Sequence, residues 1–450
     1  MNKSNQASQA IGKYRWTICT LIFFATTINY LDRNVLGLLK TTLEKNMDWS
    51  EIDYSYIVID FQVAYALGML GIGLVIDKVG TKMGYFLSLL GWSIAAILHG
   101  FAHSKFTFGA ARALLGLTEA GNFPSANKAV AEWFPKKERA LATGIYNSGA
   151  NIGSIVAPLC VPVIAINWGW EWAFILTGAV GLIWLLFWWK IYKSPKEKLK
   201  DGKLSQNEYE YIHSDKEEKS ETANEKESIS WTRLLKYRQT WSFFFGKFLT
   251  DPIWWFYMFW LPAFLEGENN RKIAMNDLDG VISWPWALAV VYTISTFGSV
   301  LGGWLPKYFV NNRKKSIYTS RMLSMFIYAS LPLTVLAAQY LGNINIWYAV
   351  LVIGLACAGH QAWSANIFST VSDMFPKKAV ASVTGIGGMA GAAGGILIAW
   401  AAGLLLDHYK GLGTVEVGYG IMFIICALSY LVAWFTMKIL VPRYKTITDL

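Results

Sequence analysis

Six ionisable residues lie inside long apolar stretches of the chain, as three pairs of opposite charge. The pairs are Asp32 with Arg33, Arg112 with Glu119, and Lys247 with Asp251. An ionisable group in hydrocarbon is costly, so such residues are candidates for function. An arginine presents a two-pronged fork that fits a carboxylate or a phosphate, and a carboxyl group can carry a proton. The predicted chemistry is therefore the binding of an anion together with the transfer of protons.

The first pair lies in the segment TTINYLDRNVLG. Asn29 and Tyr30 precede Arg33 by four and three positions, so a helix places all three residues on one face. Asp32, directly before the arginine, is a candidate proton carrier. The alternative is an internal ion pair that packs this helix against a neighbour. Apolar packing would replace such a bridge at little cost in stability, which favours the functional interpretation.

The second pair lies in ARALLGLTEAGNFPSANKAVAEWFP. Arg112 and Glu119 are seven positions apart, which is two turns along one helical face. They can pair with each other, or titrate in alternation during a transport cycle, and a static structural pair is the alternative. Pro124 removes a backbone hydrogen bond and predicts a kink or a cavity. Lys128 lies nearer the end of the helix, where its side chain is expected to reach towards the membrane surface.

The third pair lies in GKFLTDPIWW, where Lys247 and Asp251 are four positions apart and directly precede Pro252. At this spacing, the two side chains can neutralise each other and make the span tolerable in a membrane. The functional alternative is a lysine that faces the arginine of the first half across a central cavity. The sequence leaves both interpretations open.

Polar and aromatic residues cluster in a later apolar stretch, GHQAWSANIFSTVSDMFP. The cluster consists of His360, Gln361, Trp363, Ser364 and Asn366. A substrate rich in hydroxyl groups needs amide hydrogen bonds and a flat ring surface, and this cluster offers both. A lone histidine in a membrane span is usually a packing residue, but five such residues within seven positions favour the lining of a binding site.

Apolar stretches long enough to cross a bilayer must position these residues. The chain has 450 residues, of which 54% are hydrophobic and 16% charged, whereas soluble domains carry about 25% charged residues. With roughly 20 apolar residues needed for each crossing, we predict twelve spans. They run over 16–39, 54–76, 82–103, 106–132, 140–166, 170–192, 241–265, 281–305, 319–340, 345–372, 379–405 and 414–439. The alternation expected of a β-barrel does not run through the chain. We therefore predict an all-α polytopic membrane protein.

A charged stretch divides the predicted spans into six and six. Residues 193–240 hold eleven Lys or Arg and ten Asp or Glu, a density of charge that cannot bury a core. We predict two six-helix bundles, 1–192 and 241–450, joined by a cytoplasmic loop over 193–240, an organisation found in many secondary transporters. The net charge of +10 lies mostly in the loops on one side, which places both termini in the cytoplasm. Charge distributed in this way indicates membrane orientation and not a nucleic-acid partner.

No pattern in the sequence predicts a cofactor, a metal site or a catalytic centre. The cysteines are far apart and form no C-x-x-C pair, and we expect them to be buried packing residues. His99 and His103 are four positions apart but have no glutamate after the first and no third ligand. These observations argue against the alternative of a membrane-embedded enzyme. The polar loop is too short for the soluble signalling domain that a nutrient sensor would carry.

The loop after the second span resembles a signature of the major facilitator superfamily. In GIGLVIDKVGTKMGY, Gly73, Asp77, Gly80 and Lys82 fit the pattern G-x-x-x-D-x-x-G-x-[RK]. The resemblance implies that this loop controls contacts between the two halves, so Asp77 and Lys82 are gating candidates. The corresponding loop after the eighth span, GGWLPKYFVNNRKKS, keeps Gly303 but lacks the acidic residue.

Other segments narrow the resemblance to the anion:cation symporter family. YLDRN in the first span, R-x6-E-x4-P in the fourth and WFPKKERA after it carry that likeness. GKFLTDPIWW, KYRQTW, GHQAWS and SDMFP are most similar to the bacterial hexuronate transporters. The similarity covers nearly the whole chain, apart from the tails and part of the loop. It implies a bacterial inner-membrane protein with no cofactor, which we expect to be a monomer in the lipid bilayer.

The resemblance also implies roles for individual residues. Arg33 would bind the substrate carboxylate, with Tyr30 and Tyr65 beside it. Asp32 and Glu119 would be protonation sites, and Arg112 would modulate Glu119. Galactonate-type members often have a glutamine in the fifth span where this chain has Ala150, and Asn147 or Asn151 can substitute for it. The remaining predicted substrate contacts are Lys247, His360, Gln361, Trp363 and Asn366.

The expected function is proton-coupled symport of a sugar-acid anion, specifically a hexuronate such as glucuronate or galacturonate. The pair formed by Lys247 and Asp251, which galactonate-type members lack, favours a uronate. Two alternatives stay open at this point. One is a hexonate or glucarate symporter of the galactonate type, and the other is a sodium-coupled carrier of organic anions.

Overall fold

The chain folds into helices in the computed structural model, which describes residues 12–214, 231–275, 283–443 and 447. Within these ranges the secondary structure is helical throughout, without a β-strand. The prediction of an all-α protein is confirmed. The parts of the predicted loop and tails that fall in 1–11, 215–230, 444–446 and 448–450 lie outside the described residues, as do residues 276–282.

Eight helices precede the charged loop and pack with one another; we call them the first group. They are α1 (Tyr14–Leu38), α2 (Lys40–Met47), α3 (Glu51–Val79), α4 (Thr81–His99), α5 (Lys105–Glu119), α6 (Asn122–Trp133), α7 (Lys136–Trp168) and α8 (Trp170–Ile191). α1 packs along α7, α3 along α5, and α4 along α8. Small residues allow the first of these contacts. A side chain at Gly153 of α7 would collide with the backbone of Thr27 and the side chain of Tyr30 in α1.

Three short helices, α9 (Pro195–Lys200), α10 (Gln206–Ile212) and α11 (Trp231–Leu234), belong to the charged loop. The second group follows. It consists of α12 (Arg238–Ala274), α13 (Trp284–Asn311), α14 (Ile317–Ser330), a 3-10 helix (Leu331–Ala337), α15 (Ala338–Ile344), α16 (Ile346–Met374), α17 (Lys377–Gly411) and α18 (Val415–Leu440). Within it α13 packs along α16 and α12 along α17. The loop is attached to the first group, because Glu208 accepts hydrogen bonds from the backbone nitrogens of Tyr14 and Arg15, both at 3.1 Å.

Nine helical segments in the described ranges are long and apolar enough to cross a membrane. They are Glu51–Val79, Thr81–His99, Leu141–Trp168, Trp170–Ile191, Trp284–Asn311, Ile317–Ile344, Ile346–Met374, Ser382–Gly411 and Val415–Leu440. Each overlaps one predicted span. The other three predictions, 16–39, 106–132 and 241–265, fall on α1, on α5 with α6, and on α12. The charged pairs of α1 and α12 lower the hydropathy of those helices, whereas α5 and α6, with 15 and 12 residues, are each shorter than a full crossing. The number of twelve spans therefore stays a prediction.

The span predicted over 106–132 is interrupted in the structure. α5 ends at Glu119, and α6 begins at Asn122. Pro124 explains the position of the break, because its ring lacks a backbone N–H and would clash with the carbonyl of Ala120, four residues earlier. The break leaves Glu119 at the last position of α5, with its side chain fully buried.

The two groups meet along α3 and α17, which run antiparallel. At one end of this contact the amine of Lys410 lies 3.3 Å from the carboxylate of Glu51. Further along, Gly403 faces Ser55, and Gly395 faces Gln62. We name the end of the molecule that holds Glu51 and Lys410 the Lys40 end, after the lysine beside them, and the opposite end the Asp77 end. Beyond Gln62, towards the Asp77 end, α3 exposes a series of large side chains: Leu67, Leu70 and Leu74 are 60%, 54% and 74% exposed.

Candidate functional site

A buried ion pair between α1 and α5 forms the centre of the candidate site. The guanidinium of Arg33 donates hydrogen bonds from Nε and Nη2 to Oε2 of Glu119, at 2.9 and 2.7 Å. The Arg33 side chain is 4% exposed, and that of Glu119 is fully buried. Both donors use the same carboxylate oxygen, and Oε1 of Glu119 has no hydrogen-bond partner among the described residues. The predicted anion-binding arginine is thus held by the predicted proton acceptor.

Four aromatic rings surround the guanidinium of Arg33; we call this arrangement the aromatic box. Its Cζ lies 5.0 Å from the ring centre of Tyr30 and 4.9 Å from that of Tyr65, the two tyrosines predicted beside it. Phe61 and Trp255 complete the box at 5.2 and 5.6 Å. Such contacts are attractive for a cation because each ring face is electronegative. Trp255 belongs to α12, so the box joins the two groups of helices.

Arg112 does not pair with Glu119, which corrects one of the two arrangements considered for R-x6-E. Its Nη2 donates to the backbone carbonyl of Arg33 at 3.3 Å, and its Cζ lies 4.8 Å from the ring centre of Phe61. Seven residues of helix separate Arg112 and Glu119 by about 10 Å along the axis, so Arg33 reaches the carboxylate from another helix instead. The side chain of Arg112 is fully buried and supports the backbone behind Arg33.

Asp32 does not pair with Arg33, although the two are adjacent in sequence. Consecutive helical residues point in different directions, and the carboxylate of Asp32 enters the interior of the first group, where it is 2% exposed. Neither of its oxygens has a hydrogen-bond partner among the described residues, and the same is true of both amide atoms of Asn29. The three residues predicted to share one face therefore have different surroundings. Asn29 lies in the interior of the first group, whereas Tyr30 and Arg33 belong to the aromatic box.

Lys247 and Asp251 form the neutral pair that their spacing allows. Their charged atoms are 2.5 Å apart, and the amine of Lys247 lies 4.5 Å from the ring centre of Phe368. Gly391 of α17 packs against the carboxylate of Asp251, where a side chain would collide with it. The alternative of a lysine facing Arg33 does not describe this conformation, because both contacts of the amine lie in the second group. The role of Lys247 in substrate binding stays a prediction.

The predicted cluster in α16 is divided between two surroundings. His360 is stacked on Trp254 at 4.9 Å and 11°, and its Nδ1 lies 2.5 Å from the hydroxyl of Tyr430. Trp363 is buried with its ring perpendicular to that of Tyr430, and its indole N–H has no partner among the described residues. Trp254 and Tyr430 were not predicted, because neither carries a charge that would mark it in the sequence.

The other members of the cluster differ in exposure and contacts. Asn366 uses its Nδ2 to donate to the carbonyl of Gly302 at 2.6 Å and its Oδ1 to accept from Arg321 at 3.3 Å. These bonds occupy the amide within the second group, near the ion pair of Arg321 and Asp373. Gln361 is half-buried. Their roles in substrate binding stay predictions, as does that of Asn147, which is exposed on α7.

The two gating candidates lie at the Asp77 end of the first group. Asp77 pairs with Lys128 of α6 at 2.8 Å, and the side chain of Asp77 is 75% exposed. Lys128 also donates to the carbonyl of Ile76 at 3.0 Å, so its side chain reaches the end of the bundle as expected. The amine of Lys82 lies 4.8 Å from the ring centre of Trp189. These contacts stay within the first group, and the gating role of both residues stays a prediction.

A network of four charged residues joins the two groups at the Lys40 end. Lys40 of α2 pairs with Glu44 at 2.5 Å and with Glu51 at 2.8 Å. Lys410 of α17 pairs with the same two carboxylates, at 2.9 and 3.3 Å. We name this arrangement the Lys40–Lys410 network. Both lysines lie outside the predicted spans, and no pattern in the sequence indicated the network, because its members come from opposite ends of the chain.

Comparisons with known proteins identify the family and the relatives of the chain. The model of the Major Facilitator Superfamily matches residues 22–399. The hexuronate transporter of Escherichia coli (strain K12) is 29% identical over 432 residues, which cover 94% of each chain. The galacturonate transporter of Dickeya chrysanthemi is 34% identical over 312 residues, covering 69% of this chain and 86% of that one. A D-galactonate transporter of Escherichia coli O6:H1 is 28% identical over 93% of this chain and 95% of that one.

The fold has a counterpart among solved structures. A crystal structure of a bacterial homolog of the human lysosomal transporter Spinster matches 98% of this chain and 100% of that chain, with a TM-score of 0.75 and 17% sequence identity. Two groups of membrane helices around a buried charged centre define a membrane carrier. The chain belongs to the Major Facilitator Superfamily. It is therefore a transporter and not an enzyme, and the resemblance to hexuronate transporters is confirmed by the relatives it matches.

Proposed function

We propose that the protein is a secondary transporter that imports a monoanionic hexuronate together with a proton. The observation that carries the proposal is the position of Arg33, a buried arginine inside an aromatic box built by both groups of helices. A guanidinium binds a carboxylate through two parallel hydrogen bonds. The rings around it offer flat surfaces to a sugar, and the similarity to hexuronate and galacturonate transporters supports this class of substrate.

The charges of the site supply a reason for coupling to protons. Two cations, Arg33 and Arg112, and two anions, Asp32 and Glu119, are buried in the first group, so the unloaded site is neutral. A substrate carboxylate adds one negative charge, and an uncompensated charge in a buried site is costly. One proton on Glu119 restores neutrality and releases the guanidinium of Arg33 to the substrate. Asp32 is the second proposed proton site.

The same proposal includes the arrangement in the membrane. We propose twelve spans in two bundles, 1–192 and 241–450, in the bacterial inner membrane, with both termini and the loop 193–240 in the cytoplasm. The three remaining spans are then α1, α5 with α6, and α12, and Arg33 and Glu119 supply the ion pair at the centre of the site. In this orientation the Lys40 end faces the periplasm. The Lys40–Lys410 network closes that side, and the groups separate towards the cytoplasm.

Transport into proteoliposomes tests the proposal. Purified protein is reconstituted, and uptake of labelled glucuronate is measured with and without an inward proton gradient at fixed Na⁺. We expect the gradient to drive accumulation and Arg33→Lys to abolish it. The matched control is Arg313→Lys, which changes an exposed arginine outside the site. Uptake that does not respond to the proton gradient, or that follows a Na⁺ gradient, would contradict proton coupling.

A second candidate substrate class is the hexonates, because a D-galactonate transporter is similar over nearly the whole chain. A panel of glucuronate, galacturonate, galactonate and glucarate competing for uptake separates the two classes. Charge neutrality predicts that the monoanions compete better than the dianionic glucarate, which would need a second proton. Stronger competition by galactonate than by either uronate would assign the protein to the hexonate class.

A further inference from the structure

Gln62 is a buried amide that the proposed mechanism does not use. It lies in α3 and is 2% exposed. Neither Nε2 nor Oε1 has a hydrogen-bond partner among the described residues. Buried amides nearly always have partners, because the lost hydrogen bonds to water are otherwise not replaced. A leucine of similar size would fill the same space without that cost, so packing alone does not account for a glutamine here.

The position of Gln62 links it to the aromatic box. Phe61 precedes it, and Tyr65 follows three positions later on the same helix; both rings contact the guanidinium of Arg33. Across the interface, a Cβ added to Gly395 of α17 would lie 3.1 Å from Oε1 of Gln62 and 3.2 Å from Cδ1 of Trp255. Trp255 is itself a wall of the box. The aromatic box is therefore next to the contact between α3 and α17, and three residues meet at that point: Gln62, Trp255 and Gly395.

Of the positions of α3 that face α17 in the contacts above, Gln62 lies furthest from the Lys40 end. The facing positions run from Glu51 with Lys410, through Ser55 with Gly403, to Gln62 with Gly395. One to three turns further along α3, the side chains of Leu67, Leu70 and Leu74 are exposed. A small molecule held at Arg33 would thus have the unpartnered amide of Gln62 nearby, at the side of the box formed by Trp255.

We infer that Gln62 is a specificity-determining residue that binds a ring hydroxyl of the sugar acid whose carboxylate is held by Arg33. The inference rests on the proposed function, which supplies the sugar acid. A carboxamide donates from its nitrogen and accepts at its oxygen, so it can satisfy a hydroxyl in either sense. Gly395 leaves room for the amide of Gln62, because a side chain at position 395 would press on that amide and on Trp255. A site built to bind a hydroxyl discriminates strongly against a substrate that lacks it.

Matched substrates test this role. The binding of glucuronate and of its analogues, each lacking one hydroxyl, is measured by competition with labelled substrate for wild type and for Gln62→Leu. We expect Gln62→Leu to weaken glucuronate binding about tenfold, the value of one neutral hydrogen bond. The analogue that lacks the contacted hydroxyl should bind both proteins equally. Gln206→Leu, which makes the same change on the exposed loop helix α10, is the control and should leave all affinities unchanged.

A second variant keeps the test decisive if Gln62→Leu does not fold. Gly395→Ala places a methyl group against the amide and should weaken the same hydroxyl contact while the deoxy analogue is unaffected. An equal loss for every analogue, or no loss for any, would overturn the inference and assign Gln62 to packing. Failure of the proposed substrate class gives a different result, because the wild type would then bind neither glucuronate nor any of its deoxy analogues.

Discussion

Arg33 and Glu119 are 86 positions apart in the chain, and they meet through a single oxygen. Both guanidinium hydrogen bonds end on Oε2 of Glu119, at 2.9 and 2.7 Å, while Oε1 is buried without a partner among the described residues. An arginine that binds a carboxylate through two parallel hydrogen bonds would use both oxygens of that carboxylate. The observed geometry leaves one oxygen able to take a proton, after which the carboxyl group holds the arginine less strongly.

Glu119→Gln should separate exchange from accumulation. The glutamine keeps the size of the side chain and an oxygen for Arg33 but cannot release a proton. We expect the variant to exchange labelled for unlabelled substrate across proteoliposomes, and to lose uptake driven by a proton gradient. Retention of gradient-driven uptake at the wild-type level would exclude Glu119 as a coupling residue. Glu210→Gln, on the charged loop, provides a control with the same chemical change.

Arg33→Lys should remove substrate binding while the protein still folds. A lysine keeps the charge but offers no planar fork for a carboxylate. Hydrogen bonds to charged groups contribute about 1.5–3 kcal/mol each, so affinity should fall at least tenfold. Isothermal titration of detergent-solubilised protein with glucuronate measures the loss. An affinity equal to that of Arg313→Lys would show that the substrate carboxylate is bound elsewhere.

Loss of the Lys40–Lys410 network should weaken the closure between the groups. Lys410→Ala removes both ion pairs that cross from α17 to the first group. In a cysteine-free background, the labelling rate of Ser55→Cys by a soluble thiol reagent reports closure, because Ser55 is buried against Gly403 of α17. We expect faster labelling in Lys410→Ala than in its parent.

Lys105→Ala is the matched control for that measurement. Lys105 pairs with Asp53 at 2.6 Å, at the same end but within the first group. Its removal should leave the labelling rate of Ser55→Cys unchanged. Equal rates for all three proteins would show that the network does not hold the groups together.

Replacing Lys247 or Asp251 alone should destabilise the protein more than replacing both residues together. Breaking a largely buried pair leaves one uncompensated charge, at a cost of about 2 kcal/mol or more. Lys247→Met or Asp251→Asn alone should therefore lower the thermal unfolding temperature, and the double variant should recover most of it. Transport by the double variant then distinguishes two roles. Wild-type uptake would identify a structural pair, and a stable but inactive protein would identify a binding residue.

The sequence by itself identified the residues whose charge is costly in a membrane. A charged side chain in a membrane span is costly however the helices are arranged. The residues recognised in this way are Asp32, Arg33, Arg112 and Glu119. The break near Pro124 was also predictable, since a proline disrupts the helix that contains it. Local chemistry was sufficient for these features.

Only the tertiary structure decided which of these residues meet. Arg33 pairs with Glu119 and not with its neighbour Asp32, because the directions of the side chains bring the guanidinium to the end of α5 while Asp32 points into the interior of the first group. Trp255 and Gln62 gave no signal in the sequence, since an uncharged residue in a span is common. Their importance comes from position: each lies where α12 or α17 brings the second group against the first, and contacts between distant segments arise only once the helices are packed.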